Sequence, residues 1–183
     1  YHIVTEISDS ENLEIAKLVG GSEVIWVQAD DLIARLIVQT SRQSGLSAVF
    51  TDLLDFEGSE LYLHPAKVFD GIRYQDAVNR MTQGCLIGVI RDGEVHLNPQ
   101  RDFVLIASDF LIVIAEDDAS IKFGQKASFE SQFFTQLTVN HRVAESFLVI
   151  GFGSNTSRIV SELAGYLAPG STITVVSDAD VTL

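Results

Sequence analysis

The sequence predicts an α/β protein in which strand–helix–strand segments flank an α+β lobe. A strand–helix–strand pattern occupies residues 1–27, and a second such pattern follows residue 145. Between them, an Asp92-Gly93 turn signal precedes the apolar run FLIVIA at residues 110–115. Strands joined through a helix favour parallel pairing, whereas a two-residue Asp-Gly turn favours an antiparallel hairpin. We therefore expect both kinds of sheet in one chain.

The composition restricts the classes of partner. The chain has 183 residues, with 25 acidic and 12 basic side chains, and a formal net charge of −13. This charge repels phosphate groups, so we expect no binding of nucleic acid and no direct binding of lipid. No apolar run approaches the roughly 18 residues that cross a bilayer, and no signal-peptide pattern is present. Cys85, the single cysteine, follows no pairing pattern and is predicted to be a reduced core thiol in a cytosolic setting.

The first 46 residues predict a βαβ segment followed by a helix. Residues 1–6 and 24–27 are predicted strands, and Asp9 or Ser10 is the predicted N-cap of a helix at 11–18. The chain begins at Tyr1 without an initiating methionine and ends at Leu183 just after a predicted strand, so we expect it to be cut from a longer one.

Two amphipathic helices are predicted on either side of Ser44-Gly45. The helix at 30–43 carries an apolar stripe of Leu32, Ile33, Leu36, Ile37 and Thr40. Ser47 is the predicted cap of the next helix, whose apolar face contains Val49, Phe50, Leu53 and Leu54. The pair either packs on the sheet of its own domain or contacts another copy, and an exposed apolar stripe would favour the second interpretation.

Residues 47–118 are predicted to form the α+β lobe. Residues 58–63 form a strand that ends at His64-Pro65, and residues 71–81 form a helix with Ile72, Ala77, Val78 and Met81 facing inward. The hairpin strands lie at 86–90 and 94–97. The strand at 110–115 does not alternate in polarity, so both of its faces should be covered.

The last part of the chain predicts a linker and a second βαβ segment. Residues 119–144 contain Phe123, Phe129, Phe133 and Phe134, too many aromatic side chains for a free tether, so the linker should pack on a neighbouring surface. Residues 146–150, 157–167 and 171–177 are a predicted strand, helix and strand. The predicted domains are therefore 1–46, 47–118, 119–144 and 145–183.

A glycine-containing loop between a predicted strand and a predicted helix is the candidate nucleotide site. Gly151, Gly153, Ser154 and Asn155 precede the helix, whose N-terminus can receive a phosphate, and Asp178 ends the next strand, where a carboxylate binds ribose. Thr156 replaces the third glycine of the dinucleotide-binding pattern and would crowd the helix against the strand. Binding of NAD or another nucleotide and a structural remnant of a Rossmann half both remain open.

Acidic side chains around two loops are the candidate cation site. Calcium takes six to eight oxygen ligands in irregular geometry, so two acidic loops brought together would suit it. The candidate ligands are Asp52, Asp55, Glu57, Glu60, Glu116, Asp117 and Asp118. No EF-hand spacing is present, and a solvated acidic surface is the alternative. The four histidines lack zinc-ligand spacing and no serine or cysteine stands in a catalytic pattern, so we expect no enzyme.

Several stretches resemble the regulatory RCK (TrkA-C type) region of CASTOR/POLLUX family ion channels. The resemblance is carried by LNPQRDFVL, by SDFLIVIAEDD, by residues 29–63 and by YLAPGSTITVV, and it covers most of the chain in order. It implies the end of one Rossmann-like lobe, a helix-turn-helix crossover, an RCK C-lobe and the start of a second RCK domain.

The same resemblance implies a cytosolic, ligand-sensing gating domain of a cation channel for potassium or calcium related transport. Its expected partners are copies of itself, as a dimer within a tetrameric ring, and the channel's own pore. Two alternatives stay open: a sensor subunit that docks on a separate potassium transporter, and a fragment of a nucleotide-dependent oxidoreductase.

Overall fold

A computed structural model describes residues 3–8, 10–55, 57–127 and 143–178. The strands in chain order are β1 (Ile3–Glu6), β2 (Val24–Val27), β3 (Glu60–Pro65), β4 (Met81–Gln83), β5 (Cys85–Arg91), β6 (Glu94–Leu97), β7 (Phe110–Ala115), β8 (Lys122–Phe123), β9 (Ser146–Ile150) and β10 (Thr172–Val176). The helices are α1 (Leu13–Gly20), α2 (Ala29–Arg42), α3 (Leu46–Leu54), α4 (Tyr74–Val78) and α5 (Thr156–Tyr166). The predicted α/β class is confirmed. Among the described residues, none of the helices has the length and hydropathy that crossing a membrane requires.

The chain folds as two compact units. The first unit comprises Tyr1–Ser47 and Thr138–Leu183, and the second comprises Ala48–Leu137. The first unit thus gathers both predicted βαβ segments, which the sequence separates by about two thirds of the chain.

Two pairs of parallel strands form the sheets of the first unit. β1 lies beside β2, with Ile3 opposite Val24, and β10 lies beside β9, with Thr172 opposite Ser146. A helix joins the strands of each pair, because a parallel connection needs a crossover. Both predicted βαβ segments are confirmed.

The helix between β1 and β2 begins later than predicted. A 3-10 turn at Ser10–Asn12 precedes α1, which runs to Gly20 instead of ending at residue 18. Ser10 is therefore not the N-cap of α1; Asn12 has that position and forms no side-chain capping bond. The alternative cap, Asp9, lies outside the described residues.

Helices α2 and α5 pack against each other in the first unit. Ala34 and Val38, one turn apart on α2, are 0% and 1% exposed, and Leu163 on α5 is 3% exposed. The buried face of α2 is therefore the face that holds Ala34 and Val38. The predicted apolar stripe lies on a different face.

Four antiparallel strands in the order β3-β7-β5-β6 form the main sheet of the second unit. Asp92 and Gly93, which connect β5 to β6, have φ angles of 51° and 83°, as a type I′ turn requires. Leu111, Val113 and Ala115 in β7 are buried in the core, and Ile112 on the other face is 7% exposed. The hairpin and the central strand are confirmed, but Phe110 is 46% exposed, so the prediction that both faces of β7 are covered is wrong at that end of the strand.

The core of the second unit lies on one face of this sheet. Its buried residues come from the sheet, from α4, from a 3-10 turn at Ala66–Phe69 and from the segment before β7. They are Ala66, Phe69, Tyr74, Ala77, Leu86, Val89, Leu105, Leu111, Val113 and Ala115.

The predicted helix at 71–81 is wrong at both ends. Only α4, five residues long, is α-helical, and Met81 belongs to β4, which pairs with β8. Ala77 is buried as predicted, but Val78 is 37% exposed. The other buried side chain of α4 is Tyr74, which the prediction did not include. The apolar pattern that favours a long helix here comes from a short helix followed by a strand.

Strand β3 continues through the residues predicted to end it. Pro65 is its last residue and pairs with Phe110 of β7. Proline lacks the amide that an internal strand needs, but β3 lies at an edge of the sheet, where no further strand takes that amide. In the sequence, His64-Pro65 resembles a strand end, because the edge position that allows proline inside β3 depends on the sheet order.

The first residues of the predicted linker belong to the second unit. A 3-10 turn at Asp118–Ser120 leads into β8, and the Phe123 ring lies 4.7 Å from the Phe69 ring and 5.3 Å from the His64 ring, centre to centre. Three further aromatic residues of that segment, Phe129, Phe133 and Phe134, lie outside the described residues.

Candidate functional site

Three of the five residues in the predicted apolar stripe of α2 are exposed. Leu32, Ile33 and Ile37 are 53%, 45% and 43% exposed, whereas Leu36 and Thr40 are half-buried. Leu and Ile side chains on a surface helix normally face a core. The stripe is therefore an apolar surface that the described part of the chain leaves uncovered.

The helix α3 is likewise unburied. None of its described residues is fully buried, and Val49 and Leu54 are 51% and 72% exposed. The helix begins at Leu46, so Ser47 lies inside it, and the prediction that Ser47 is the N-cap is wrong. Gly45, with φ of 87°, supplies the left-handed conformation that separates α2 from α3.

The glycine loop before α5 is closed by its own hydrogen bonds. The Gly151 amide donates to the Val176 carbonyl at 2.7 Å, and the Gly153 amide donates to Thr156 Oγ1 at 2.8 Å. Thr156 is 6% exposed. Instead of crowding the helix, its hydroxyl takes one of the amides that a phosphate would use.

Carboxylates from α2 lie beside the N-terminus of α5. Asp30 Oδ1 accepts a hydrogen bond from Asn155 Nδ2 at 3.2 Å, and Arg158 Nε lies 3.4 Å from Asp31 Oδ1. A bound phosphate would meet these negative charges. Ser154 is exposed at the loop, and Asp178 is exposed beyond the end of β10. The nucleotide site stays a prediction, and the bonds of Gly153 and Asn155 do not favour it.

The α2–α5 contact continues along both helices. Arg35 Nη2 lies 3.1 Å from Asp31 Oδ2 on its own helix, and Arg35 Nε lies 3.7 Å from Glu162 Oε1 on α5. Further along, the Arg42 guanidinium lies 5.2 Å from the centre of the Tyr166 ring. These contacts between α2 and α5 could not be predicted from the sequence. The two helices are more than 100 residues apart, and no local pattern shows that they are neighbours.

The predicted cation ligands lie around one end of the sheet in the second unit. Glu60 begins β3 opposite Ala115, the last residue of β7, and Glu116, Asp117 and Asp118 follow β7 directly. Asp52 and Asp55 lie at the end of α3, where the Glu57 amide donates to Asp55 Oδ1 at 3.4 Å.

These carboxylates do not converge on one point. Asp117 is occupied as the cap of the 3-10 turn, since its Oδ1 accepts from the Ala119 amide at 3.0 Å. Within the described residues, no three His, Cys, Asp or Glu side chains are arranged to hold a metal ion. Burial raises the pKa of the Tyr62 hydroxyl, and the nearby Glu60, Asp117 and Asp118 raise it further. The calcium site stays a prediction. The described residues supply negative charge there, but they do not form a set of ligands around one point.

Cys85 is exposed, so the prediction of a core thiol is wrong. It is the first residue of β5, opposite Ile114, and its side chain lies at the end of the strand, beyond the buried stretch. His64 and His96 pack edge-on or tilted against Phe123 and Phe103. These contacts give the two histidines structural roles.

A buried ion pair in the second unit was not foreseen. Asp109 has a fully buried side chain and receives both donors of an Arg91 fork, at 2.8 Å from Nε and 2.7 Å from Nη2. The Ile106 amide adds a bond of 2.9 Å to the same carboxylate. Burial raises the pKa of Asp109, but the bonds from Arg91 and from the Ile106 amide outweigh burial, so the pKa is lowered.

The same guanidinium ties together the loop before β7. Arg91 Nη2 also donates to the Val104 carbonyl at 2.7 Å, and the guanidinium stacks 4.4 Å from the centre of the Phe103 ring. The pair therefore fixes the segment after β6 against the end of β5. The sequence signal for this ion pair is Asp109, a charged residue inside the apolar stretch LIASDF. Aspartate is rarely fully buried without a partner, so a buried cation could be expected beside it.

Comparisons with known proteins relate the chain to ion channels. The sequence model of the family described as "Castor and Pollux, part of voltage-gated ion channel" matches residues 30–131. The chain is 33% identical to the probable ion channel POLLUX of Arabidopsis thaliana over 172 residues, and 32% identical to the ion channel CASTOR of Lotus japonicus over 185 residues. These alignments cover 93% and 97% of the chain but only 21% of each relative.

Two more distant proteins share features with the chain. The calcium-gated potassium channel TvoK of Thermoplasma volcanium is 24% identical over 123 residues, which is 66% of this chain and 35% of that protein. The human SLO3 gating ring has the same fold, with a TM-score of 0.58 and 12% identity, over 96% of this chain and 46% of that structure.

Proposed function

The chain belongs to the Castor and Pollux family of ion channels, and we propose that it is part of a cytosolic region that couples ligand binding to opening of a cation pore. The sequence resemblance to this family is confirmed. The observation that carries the proposal is the family match at residues 30–131 on a chain that has the fold of a gating ring. The chain spans about a fifth of the length of the CASTOR and POLLUX relatives, so the pore would belong to other parts of a longer protein.

Gating by such a region rests on differential affinity. A ligand that binds one arrangement of the units more tightly shifts the population toward that arrangement, and the shift is limited by the ratio of the two affinities. The POLLUX, CASTOR and TvoK relatives are named as ion channels. These names support a non-enzymatic, regulatory role for this chain.

The exposed helical stripes support assembly with further copies. The side chains of Leu32, Ile33 and Ile37 on α2, and of Val49 and Leu54 on α3, are all between 43% and 72% exposed. Soluble monomers rarely leave a large contiguous apolar surface in water. Of the two interpretations of this helical pair, the exposure favours contact with another copy over packing on the domain's own sheet.

The outer face of the main sheet supports the same conclusion. Leu61 and Leu63 on β3, and Val95 and Leu97 on β6, are 55% to 64% exposed. Strand register places apolar residues at the intervening positions, and none of them is charged: Pro65, Phe110, Ile112, Ile114, Gly88 and Ile90. A sheet face of this composition normally packs against another layer.

A graft into a relative tests the gating proposal. The segment of Lotus japonicus CASTOR that aligns with this chain would be replaced by residues 1–183, and single-channel currents would be recorded in planar bilayers. We expect the graft to restore ligand-dependent opening that a channel without the segment lacks. A graft that assembles and reaches the membrane but gives the same currents as the deletion would contradict the proposal.

A further inference from the structure

A half-open cavity in the second unit lies between α4 and the loop that follows β6. Its volume is about 450 Å³, within the range of small-molecule sites. Tyr74, Gln75 and Asn79 line one wall, and Asn98, Pro99 and Arg101 line the other. None of these residues belongs to the acidic loops or to the glycine loop.

Backbone bonds fix the two walls to each other. The Tyr74 amide donates to the Phe103 carbonyl at 2.7 Å, and the Gln75 amide donates to the Arg101 carbonyl at 3.2 Å. The Asn98 amide donates to a β5 carbonyl at 2.8 Å. Tyr74 itself is 6% exposed, and its hydroxyl donates to the Leu86 carbonyl at 3.2 Å. The cavity is thus shaped by the folded backbone and needs no ligand to form.

The polar side chains at this cavity bond to no other group among the residues that the structure describes. In the described part of the chain, the side chains of Gln75, Asn79, Asn98 and Arg101 form no hydrogen bond and no ion pair. Where asparagine, glutamine or arginine side chains stabilise a fold, they normally cap a turn or pair with a carboxylate. Four such side chains around one cavity, none bonded to another described residue, form a set of groups available to a ligand.

The chemistry of these groups defines the ligand. A guanidinium pairs with a carboxylate or phosphate through two parallel hydrogen bonds. A carboxamide offers a donor beside an acceptor, which matches the donor–acceptor edge of an aromatic heterocycle. Val78 and Pro99 provide an apolar surface on which the flat face of a ring can pack.

We propose that this cavity binds an aromatic heterocycle that carries a phosphate or carboxylate group. Arg101 holds the anionic group, and the carboxamides of Gln75, Asn79 and Asn98 hold the ring edge. A role for this ligand in channel opening rests on the proposed function, but the binding itself does not. The isolated chain is therefore enough to test it.

Titration followed by NMR tests the proposal on the 183-residue chain. The probes are AMP and nicotinate, which carry a phosphate and a carboxylate on a heterocycle, adenosine, which has no charge, and inorganic phosphate, which has no ring. The signals to follow are the side-chain amide resonances of Gln75, Asn79 and Asn98. We expect AMP or nicotinate to shift these resonances with saturation, and adenosine and phosphate to bind more weakly than the better of the two.

Two variants assign the binding to the cavity. Arg101→Gln removes the cation and should weaken binding of the charged heterocycle by about tenfold or more, because the charge-assisted hydrogen bonds from the guanidinium to the anionic group are lost. Lys67→Gln removes an exposed cation of the same unit outside the cavity and should leave the affinity unchanged. Because Arg101 is exposed, its replacement should not disturb folding.

Three results would overturn the proposal. The first is that neither AMP nor nicotinate shifts the three amide resonances. The second is equal affinity in the Arg101→Gln and Lys67→Gln variants, which would mean that the anion is not held by Arg101. The third is that inorganic phosphate binds as tightly as AMP, which would show an adventitious ion only. Loss of gating in the channel graft, with AMP or nicotinate binding intact, would overturn the proposed function and leave this site standing.

Discussion

Replacement of Asp109 by Asn should destabilise the second unit by about 3 kcal/mol, the lower end of the cost of breaking a buried ion pair. The carboxylate is fully buried and accepts three hydrogen bonds of 2.7 to 2.9 Å from Arg91 and the Ile106 amide. Asparagine keeps the shape but turns one acceptor into a donor that faces the guanidinium. Since the Arg91 side chain is 27% exposed, water can hydrate part of the orphaned cation, which limits the loss.

The assay for the Asp109→Asn variant is urea denaturation at pH 7, followed by circular dichroism. Amide exchange at Leu111 and Val113 of β7 would locate the loss in the second unit. Arg91→Lys is the matched control: it keeps the charge but cannot form the two parallel bonds, so it should cost less than Asp109→Asn. A loss below about 0.5 kcal/mol for Asp109→Asn would refute the structural role of the pair, because it would equal that of an ordinary surface substitution.

The pH dependence of this variant follows from the lowered pKa of Asp109. A carboxylate whose pKa is lower in the folded state contributes stability above its unfolded pKa of about 4, and that contribution is lost as pH falls through the folded pKa. The stability gap between wild type and Asp109→Asn should therefore be widest near neutral pH and narrow below about pH 4. A gap that stays constant over the acidic range would mean that Asp109 does not titrate as the ion pair requires.

Three further substitutions probe the second unit. Gly88→Ala should lower the free energy of unfolding by about 1–3 kcal/mol, because its Cβ would lie 2.7 Å from the His96 carbonyl oxygen, and a thermal melt should show the loss. Gly93→Ala meets no atom within 4 Å, so it should cost only the roughly 1 kcal/mol of left-handed strain, and an equal or larger loss than for Gly88→Ala would contradict the packing argument. Phe69→Ala, at a side chain 2% exposed, should cost about 3–5 kcal/mol in the same melt, and a loss below 1 kcal/mol would show that the ring is not part of the core.

The strands with strong local signals were predictable from the sequence. The Asp92-Gly93 turn and the runs 94–97 and 110–115 specify their own structure, since both turn residues must accept positive φ and the central strand must be apolar throughout. The bounds of β6 and β7 match the prediction residue for residue.

The segment from residue 65 to residue 84 was not predictable to the same degree. A short helix and a short strand together imitate the period of one longer helix, and only the pairing of β4 with β8, some 40 residues away, separates them. The status of Pro65 likewise depends on its position at the sheet edge. Local pattern does not contain either fact.

The candidate sites show the same division. Glycines before α5 and acidic residues after β7 were visible as motifs, whereas the occupation of the Gly153 amide by Thr156 appears only in three dimensions. The Arg91–Asp109 pair joins residues 18 apart through a hairpin and a loop. Gln75 and Asn98, 23 residues apart, line the same cavity because the Gln75 amide bonds the Arg101 carbonyl.

Sedimentation velocity on the 183-residue chain measures whether its exposed apolar helix surface assembles copies of the chain. We expect the wild-type chain to sediment as a dimer or larger species that dissociates on dilution. Ile33→Asp combined with Ile37→Asp should shift it to the monomer mass of 20.0 kDa. Val19→Asp on α1, where the side chain is 83% exposed, is the matched control and should leave the assembly intact. A wild-type chain that stays monomeric at about 100 μM, or an assembly that the α2 variant leaves unchanged, would contradict the proposal that this chain is an assembling part of a gating region.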